Sequence, residues 1–113
     1  MAIEIWHNSR CSKSRNAFNY LKDKNIEFEV KEYLKNPPTL QELKDVLAKL
    51  NMKPSELIRS KEAIYKELNL KDASEDELLE AMVKNPKLIE RPIIINEDKA
   101  VVARPLENIE KVF

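Results

Sequence analysis

The sequence predicts an α/β fold in one domain, residues 1–113. The expected order is strand–helix–strand, a helical insertion, then strand–strand–helix. Three observations predict it. A short apolar run at Ile3 to Trp6 leads into a helical-period segment and a second alternating run. The middle of the chain carries helical spacing and helix-start signals. Near the end, two short apolar runs flank a polar loop. A chain of 113 residues fits one core, and 42% hydrophobic residues can fill it without a metal or disulfide staple.

The first strand is read at Ile3 to Trp6, where apolar residues alternate around Glu4. A helix follows from about Ser12 to Lys24, burying Ala17, Phe18 and Leu21, and Asn25 closes it. Phe28, Val30 and Glu32 continue as a second strand, and a strand–helix–strand unit normally means a parallel pair. Thr39 and Glu42 form a capping-box pair after Pro37-Pro38, and Leu40, Leu43, Val46, Leu47 and Leu50 line one helix face. Pro54 suits the first position of a short helix through Ile58. Another short helix covers Ile64 to Leu68. Ser74 and Glu77 repeat the capping box before Leu78, Leu79, Met82 and Val83, and that helix stops before Pro86. Ile93 to Ile95 and Val101 to Ala103 are strands around an Asn96-Glu97-Asp98-Lys99 loop, and a last helix runs from about Leu106 to Phe113. This order matches the thioredoxin-like plan with extra helices.

Composition excludes several function classes. Twenty Lys plus Arg balance twenty Asp plus Glu, which argues against a nucleic-acid binder driven by bulk charge. No apolar run approaches the roughly 20 residues that span a bilayer, and no signal peptide is read at the N-terminus. A single cysteine cannot form an internal disulfide, so a reducing cytoplasm is the expected compartment. The chain has no glycine. Glycine-rich phosphate cradles and dinucleotide fingerprints are therefore excluded, and any anion site must use side chains and helix N-termini.

Cys11 lies where the first strand gives way to the first helix, within His7-Asn8-Ser9-Arg10-Cys11-Ser12-Lys13-Ser14-Arg15. A free thiol has a pKa near 8.5, so only a few per cent is thiolate at neutral pH. The helix N-terminus, with Arg10, Lys13, Arg15 and a protonated His7, favours the ionised form. The bland reading is a buried, inert cysteine, but flanking Ser, Arg and Lys suggest an open loop. Ser14 stands where dithiol oxidoreductases carry a second cysteine, so electrons must come from an outside thiol such as glutathione or a glutaredoxin. Ser14 is a first-turn helix residue and also a candidate donor to the thiolate.

Arg91-Pro92 precedes one late strand and Arg104-Pro105 follows the other. Pairing Ile95 with Ala100, Ile94 with Val101 and Ile93 with Val102 brings Arg91 opposite Arg104. Like charges directly opposite are destabilising, and an anion held between two guanidinium forks would offset that repulsion. The competing reading frays both arginines into solvent or pairs them with Glu90 and Glu107.

Together these residues resemble the glutaredoxin-coupled arsenate reductase family of ArsC type, over nearly the whole chain. The landmarks are His7-Asn8, Cys11, Ser14-Arg15, Tyr33-Leu34 and Pro37-Pro38-Thr39. Leu57-Ile58-Arg59, Tyr65-Lys66-Glu67-Leu68, Arg91-Pro92-Ile93 and Arg104-Pro105 complete the ordered set. The resemblance implies a catalytic cysteine, Cys11, and three arginines that bind the oxyanion, which by position are Arg59, Arg91 and Arg104. It also implies a cis-proline near the cysteine, for which Pro92 is the candidate. Ser9 stands where well-known members carry proline, Ser12 where they often carry glycine, and the C-terminal extension of longer members is lacking. None of these departures removes a proposed catalytic group.

The implied chemistry is reduction of arsenate to arsenite. Cys11 attacks arsenic and displaces water, glutathione adds as co-substrate, and a glutaredoxin clears the resulting mixed disulfide. His7 is expected to lower the thiol pKa and Ser14 to hydrogen-bond the thiolate, with Asn8, Arg15 and Pro92 in support. The bland readings are a strand-end His7 and an Arg15 that covers the helix. The chain is expected to act as a monomer with no metal, no bound cofactor, no nucleic acid and no membrane. Two other readings stay open. One is a glutathione-dependent reductase of other disulfides. The other is a regulator resembling the Spx type, which binds RNA polymerase but usually carries a CxxC pair that Ser14 breaks here.

Overall fold

The computed structural model describes residues 3–113 and divides into two units, Met1–Asn36 with Arg91–Phe113, and Pro37–Glu90. The first unit is built on a four-stranded sheet. Its elements are β1 (Ile3–Trp6), α1 (Ser12–Asp23), β2 (Glu29–Lys31), β3 (Ile93–Asn96) and β4 (Lys99–Val102), in spatial order β2-β1-β3-β4. β1 runs parallel to β2, as a strand–helix–strand unit should, and antiparallel to β3. The hairpin keeps the expected register, with Ile93 opposite Val102, Ile94 opposite Val101 and Ile95 opposite Ala100. It extends one pair further, Asn96 with Lys99, so the turn is only Glu97-Asp98. β4 ends at Val102 rather than Ala103: the Ala103 N–H still donates to the Pro92 carbonyl at 2.9 Å, but proline has no N–H to return the bond.

Period-two alternation decides what each sheet face does. Ile3, Ile5 and Ile94 face α1 and the C-terminal segment, forming one cluster with Ala17, Leu21, Ala103, Ile109 and Val112. Trp6, Ile93 and Ile95 lie on the other face and are also buried. Burial on both faces explains the unbroken apolar run of β3. β2 is a short edge strand, and Val30 is 44% exposed, so alternation there was a weak guide. The C-terminal segment Leu106–Val112 is wound as a 3-10 helix, with i to i−3 bonds such as Asn108 N–H to the Pro105 carbonyl, 3.0 Å. Tighter winding of this kind is usual for short terminal pieces.

The second unit contains α2 (Leu40–Leu50), α3 (Pro54–Leu57), α4 (Ala63–Glu67) and α5 (Glu75–Lys84). Both capping boxes form as read: Thr39 with Glu42 opens α2, and Ser74 with Glu77 opens α5. α2 and α3 pack on α5 through Leu43, Val46, Leu47, Leu57, Leu78 and Met82. Short 3-10 turns at Leu70–Asp72 and Pro86–Leu88 were not anticipated. Ile58 and Ile89 make an isolated antiparallel bridge.

A chain without glycine still needs left-handed residues where helices end. Asn25, Asn51 and Asn69 fill them, with φ of 56°, 56° and 53°. After α1 the Asn25 N–H reaches the Lys22 carbonyl and the Ile26 N–H reaches the Leu21 carbonyl, both at 3.1 Å, a Schellman closure. Asparagine tolerates this region because its short polar side chain relieves part of the steric cost.

Candidate active site

Residues 7–11 link β1 to α1 and carry the thiol. Cys11 is the N-cap of α1, with φ −94° and ψ 123°. Its N–H donates to the Asn8 carbonyl at 3.0 Å, and the Asn8 side-chain oxygen accepts the Arg10 N–H at 3.0 Å. Asn8 therefore shapes the loop from both its backbone and its side chain. Arg15 donates from Nη1 to the Ser9 carbonyl at 3.0 Å, bracing the loop against the helix.

Hydrogen bonds converge on the sulfur. The backbone N–H groups of Ser14 and Lys13 and the side chains of Arg91 and Arg104 all donate to Cys11, with Arg104 Nη2 at 3.7 Å. Burial pushes the thiol up, but these donors outweigh it and bring Cys11 down to about 7. The polar flanks suggested an open loop; instead Cys11 is 9% exposed, because two guanidinium groups and the first turn of α1 close around it.

His7 and Ser14 are placed differently from expectation. Ser14 is fully buried, and its hydroxyl is engaged by His7 Nδ1 at 2.6 Å and by the Asn8 N–H at 3.0 Å. The backbone N–H of Ser14, rather than its hydroxyl, serves the sulfur. His7 is not among the groups bonded to Cys11. Its own pKa is lowered, first by burial and also by Arg15, against an opposing pull from Glu32. A neutral imidazole adds no positive charge at the thiol. His7 instead supports the loop through Ser14 and packs on Phe18, ring centroids 5.1 Å apart.

The two late arginines meet where the hairpin register sends them. The Ala103 N–H to Pro92 carbonyl bond continues the ladder one step past β3 and β4, and both guanidinium groups reach the same sulfur. The Arg91-Pro92 and Arg104-Pro105 peptide bonds are cis, the second without any forewarning in the sequence. Among the described residues no carboxylate pairs with either arginine, and the Nε of each is buried without a hydrogen-bond partner. Tyr33 also acts on Arg91 electrostatically. Burial works to lower the Arg91 pKa, but contact with Cys11 and Tyr33 raises it overall. Tyr33 is itself fully buried and stacked on Trp6, centroids 6.4 Å apart. Sequence reasoning used Tyr33 only as a landmark; an aromatic with a polar tip directly after β2 was the available signal.

Arg59 sits in the second unit, just after α3. Its Nε lies 3.3 Å from Glu62 and its Nη1 3.5 Å from Glu90, while its N–H donates to the Leu88 carbonyl at 2.7 Å. Glu90, which the sequence offered as a partner for Arg91, is thus taken by Arg59.

Two clefts flank the cysteine loop. One of about 230 Å³ is lined by His7, Asn8, Ser9, Arg10, Glu32 and Leu34. The other, about 450 Å³, is lined by Lys13, Asn16, Arg104, Pro105 and Glu107. Among the described residues no group of three or more His, Cys, Asp or Glu side chains could hold a metal ion. No helix among them is long and apolar enough to cross a membrane.

Known proteins resemble this chain over its length. An arsenate reductase from Neisseria meningitidis serogroup A is 48% identical, covering 98% of this chain and 97% of that protein. One from Haemophilus influenzae is 38% identical over the whole of both. The solved structure of an arsenate reductase from Vibrio cholerae superposes with a TM-score of 0.96 at 40% identity, covering 100% of this chain and 98% of that one. The profile of the ArsC family matches residues 6–112. With a match that begins in β1 and runs through the cysteine loop to the C-terminal turn, this chain belongs to the ArsC family.

Proposed function

We propose that the protein reduces arsenate to arsenite, with Cys11 as the nucleophile and Arg91 and Arg104 as the oxyanion holders. The observation that carries this reading is the pair of guanidinium groups, unpaired by carboxylates among the described residues, at one thiol on a helix N-terminus. A tetrahedral oxyanion suits such forks. The relatives named arsenate reductase support the same substrate. Arg59 remains a third substrate-binding candidate on the family resemblance alone.

In the first step the Cys11 sulfur forms a bond to arsenic, and one arsenate oxygen leaves as water. Arsenic stays As(V). A glutathione thiol replaces a second oxygen, again lost as water. A glutaredoxin thiolate then attacks the glutathione sulfur, forming a mixed disulfide. The electron pair of the broken sulfur–arsenic bond stays on arsenic, which becomes As(III). Water displaces the Cys11 sulfur, arsenite departs and the thiol is restored. Cys11 is the only cysteine in the chain, so the reducing equivalents must come from outside it. The cytoplasm, where thiols stay reduced, is the fitting compartment, and the enzyme acts as a monomer with no resident cofactor.

The test is purified protein with arsenate, glutathione, glutaredoxin, glutathione reductase and NADPH. Arsenate-dependent NADPH consumption is expected, falling to background in Cys11→Ser. Turnover that survives Cys11→Ser contradicts the mechanism. Turnover of a glutathionylated substrate without any on arsenate contradicts the substrate.

A further inference from the structure

Among the described residues no carboxylate pairs with Arg104 to fix its direction, yet it reaches Cys11 at 3.7 Å. Its aim must come from the backbone that carries it. That backbone makes a tight turn: the Ala103 N–H bonds the Pro92 carbonyl and the Arg104 N–H bonds the Val102 carbonyl, each at 2.9 Å. One side chain closes this turn from the far side. Asn108 donates through Nδ2 to the Val102 carbonyl at 3.2 Å and to the Arg104 carbonyl at 3.1 Å. Asn108 is in turn placed by its own N–H bond to the Pro105 carbonyl, 3.0 Å. The two carbonyls it holds bracket Ala103, which is 2% exposed in the core, so the turn is pinned at the core and at Arg104 itself.

We propose that Asn108 is a positioning residue that aims the Arg104 guanidinium at Cys11 and at the anion bound there. The chemistry favours an amide for this task. A carboxylate could steer Arg104 by pairing with it, but would cancel the charge that an anion needs. An amide clamps carbonyl oxygens with N–H donors and adds no charge beside the arginine. The kinetic part of this inference rests on the arsenate reading above; the thiol part does not.

The experiment compares the full-length protein with Asn108→Ala, Asn108→Asp, Arg104→Ala and the double variant Asn108→Ala with Arg104→Ala. The pH dependence of Cys11 alkylation by iodoacetamide and the arsenate KM and kcat are read for each, with Tm recorded. In Asn108→Ala the alkylation midpoint should move to higher pH and kcat/KM for arsenate fall about tenfold, as expected for a misaimed charged group. Asn108→Asp keeps the volume but loses the donors and brings a carboxylate near Arg104, so its fall should be larger. In the Arg104→Ala background, Asn108→Ala should add nothing to either readout, since coupled residues are not additive. A drop in Tm with both readouts unchanged, or effects that add fully to those of Arg104→Ala, would overturn the proposal. If no variant, wild type included, turns over arsenate, the alkylation midpoint still decides the role of Asn108 independently.

Discussion

Arginines in the two units of this chain live under opposite rules. In the unit Pro37–Glu90, Arg59 lies beside two carboxylates, Glu62 and Glu90, at 3.3 and 3.5 Å. In the unit that carries the sheet, Arg91 and Arg104 have no carboxylate among the described residues and share one thiol. The second arrangement costs stability, because two partly buried cations lie near each other without counter-charge. Together with the Ser14 and Lys13 N–H groups, it lowers the thiol pKa. The difference separates an arginine that lies beside two carboxylates from two that have none among the described residues.

Breaking the comparison at its functional end should have the largest effect. Arg91→Ala or Arg104→Ala removes a charge-assisted hydrogen bond of about 2 kcal/mol, so arsenate kcat/KM should fall about 30-fold in steady-state assays. Lysine at either position keeps the charge but loses the fork, and about a tenfold loss is expected. Unchanged rates would place the oxyanion elsewhere. At the structural end, Arg59→Ala should cost about 1 kcal/mol of stability by urea denaturation. The upper range for an ion pair applies because its side chains are only 20–29% exposed. Arg91→Ala and Arg104→Ala should lower rate far more than stability. Should all three variants lose the same stability, the distinction between the two kinds of arginine disappears.

Local signals in the sequence reached a long way. Thr39 with Glu42 and Ser74 with Glu77 located two helix starts because a capping box is complete within four residues. The hairpin register followed from two apolar runs and a polar gap, and with it the meeting of Arg91 and Arg104. What stayed illegible depends on neighbours distant in sequence. The Ser14 hydroxyl could serve either the thiol or His7, and only the folded loop gives it to His7. Glu90 could pair with either of two arginines, and the Ile58–Ile89 bridge brings it to Arg59. Cys11 reads as exposed from its polar flanks because the groups that cover it come from residues 91 and 104. β2 is shorter than its alternation suggests, and the 3-10 turns at Leu70–Asp72 and Pro86–Leu88 leave no sequence signal, because segments of three residues carry too little periodicity.

The most direct measurement is a pH titration of Cys11 thiolate absorbance at 240 nm in the wild-type protein and in the Arg91→Ala, Arg104→Ala double variant. A midpoint at about 7 is expected in the wild type, moving to higher pH in the variant, where burial is opposed only by the Ser14 and Lys13 N–H groups. A wild-type midpoint already near 8.5, or one that stays put when both arginines are gone, would contradict the account.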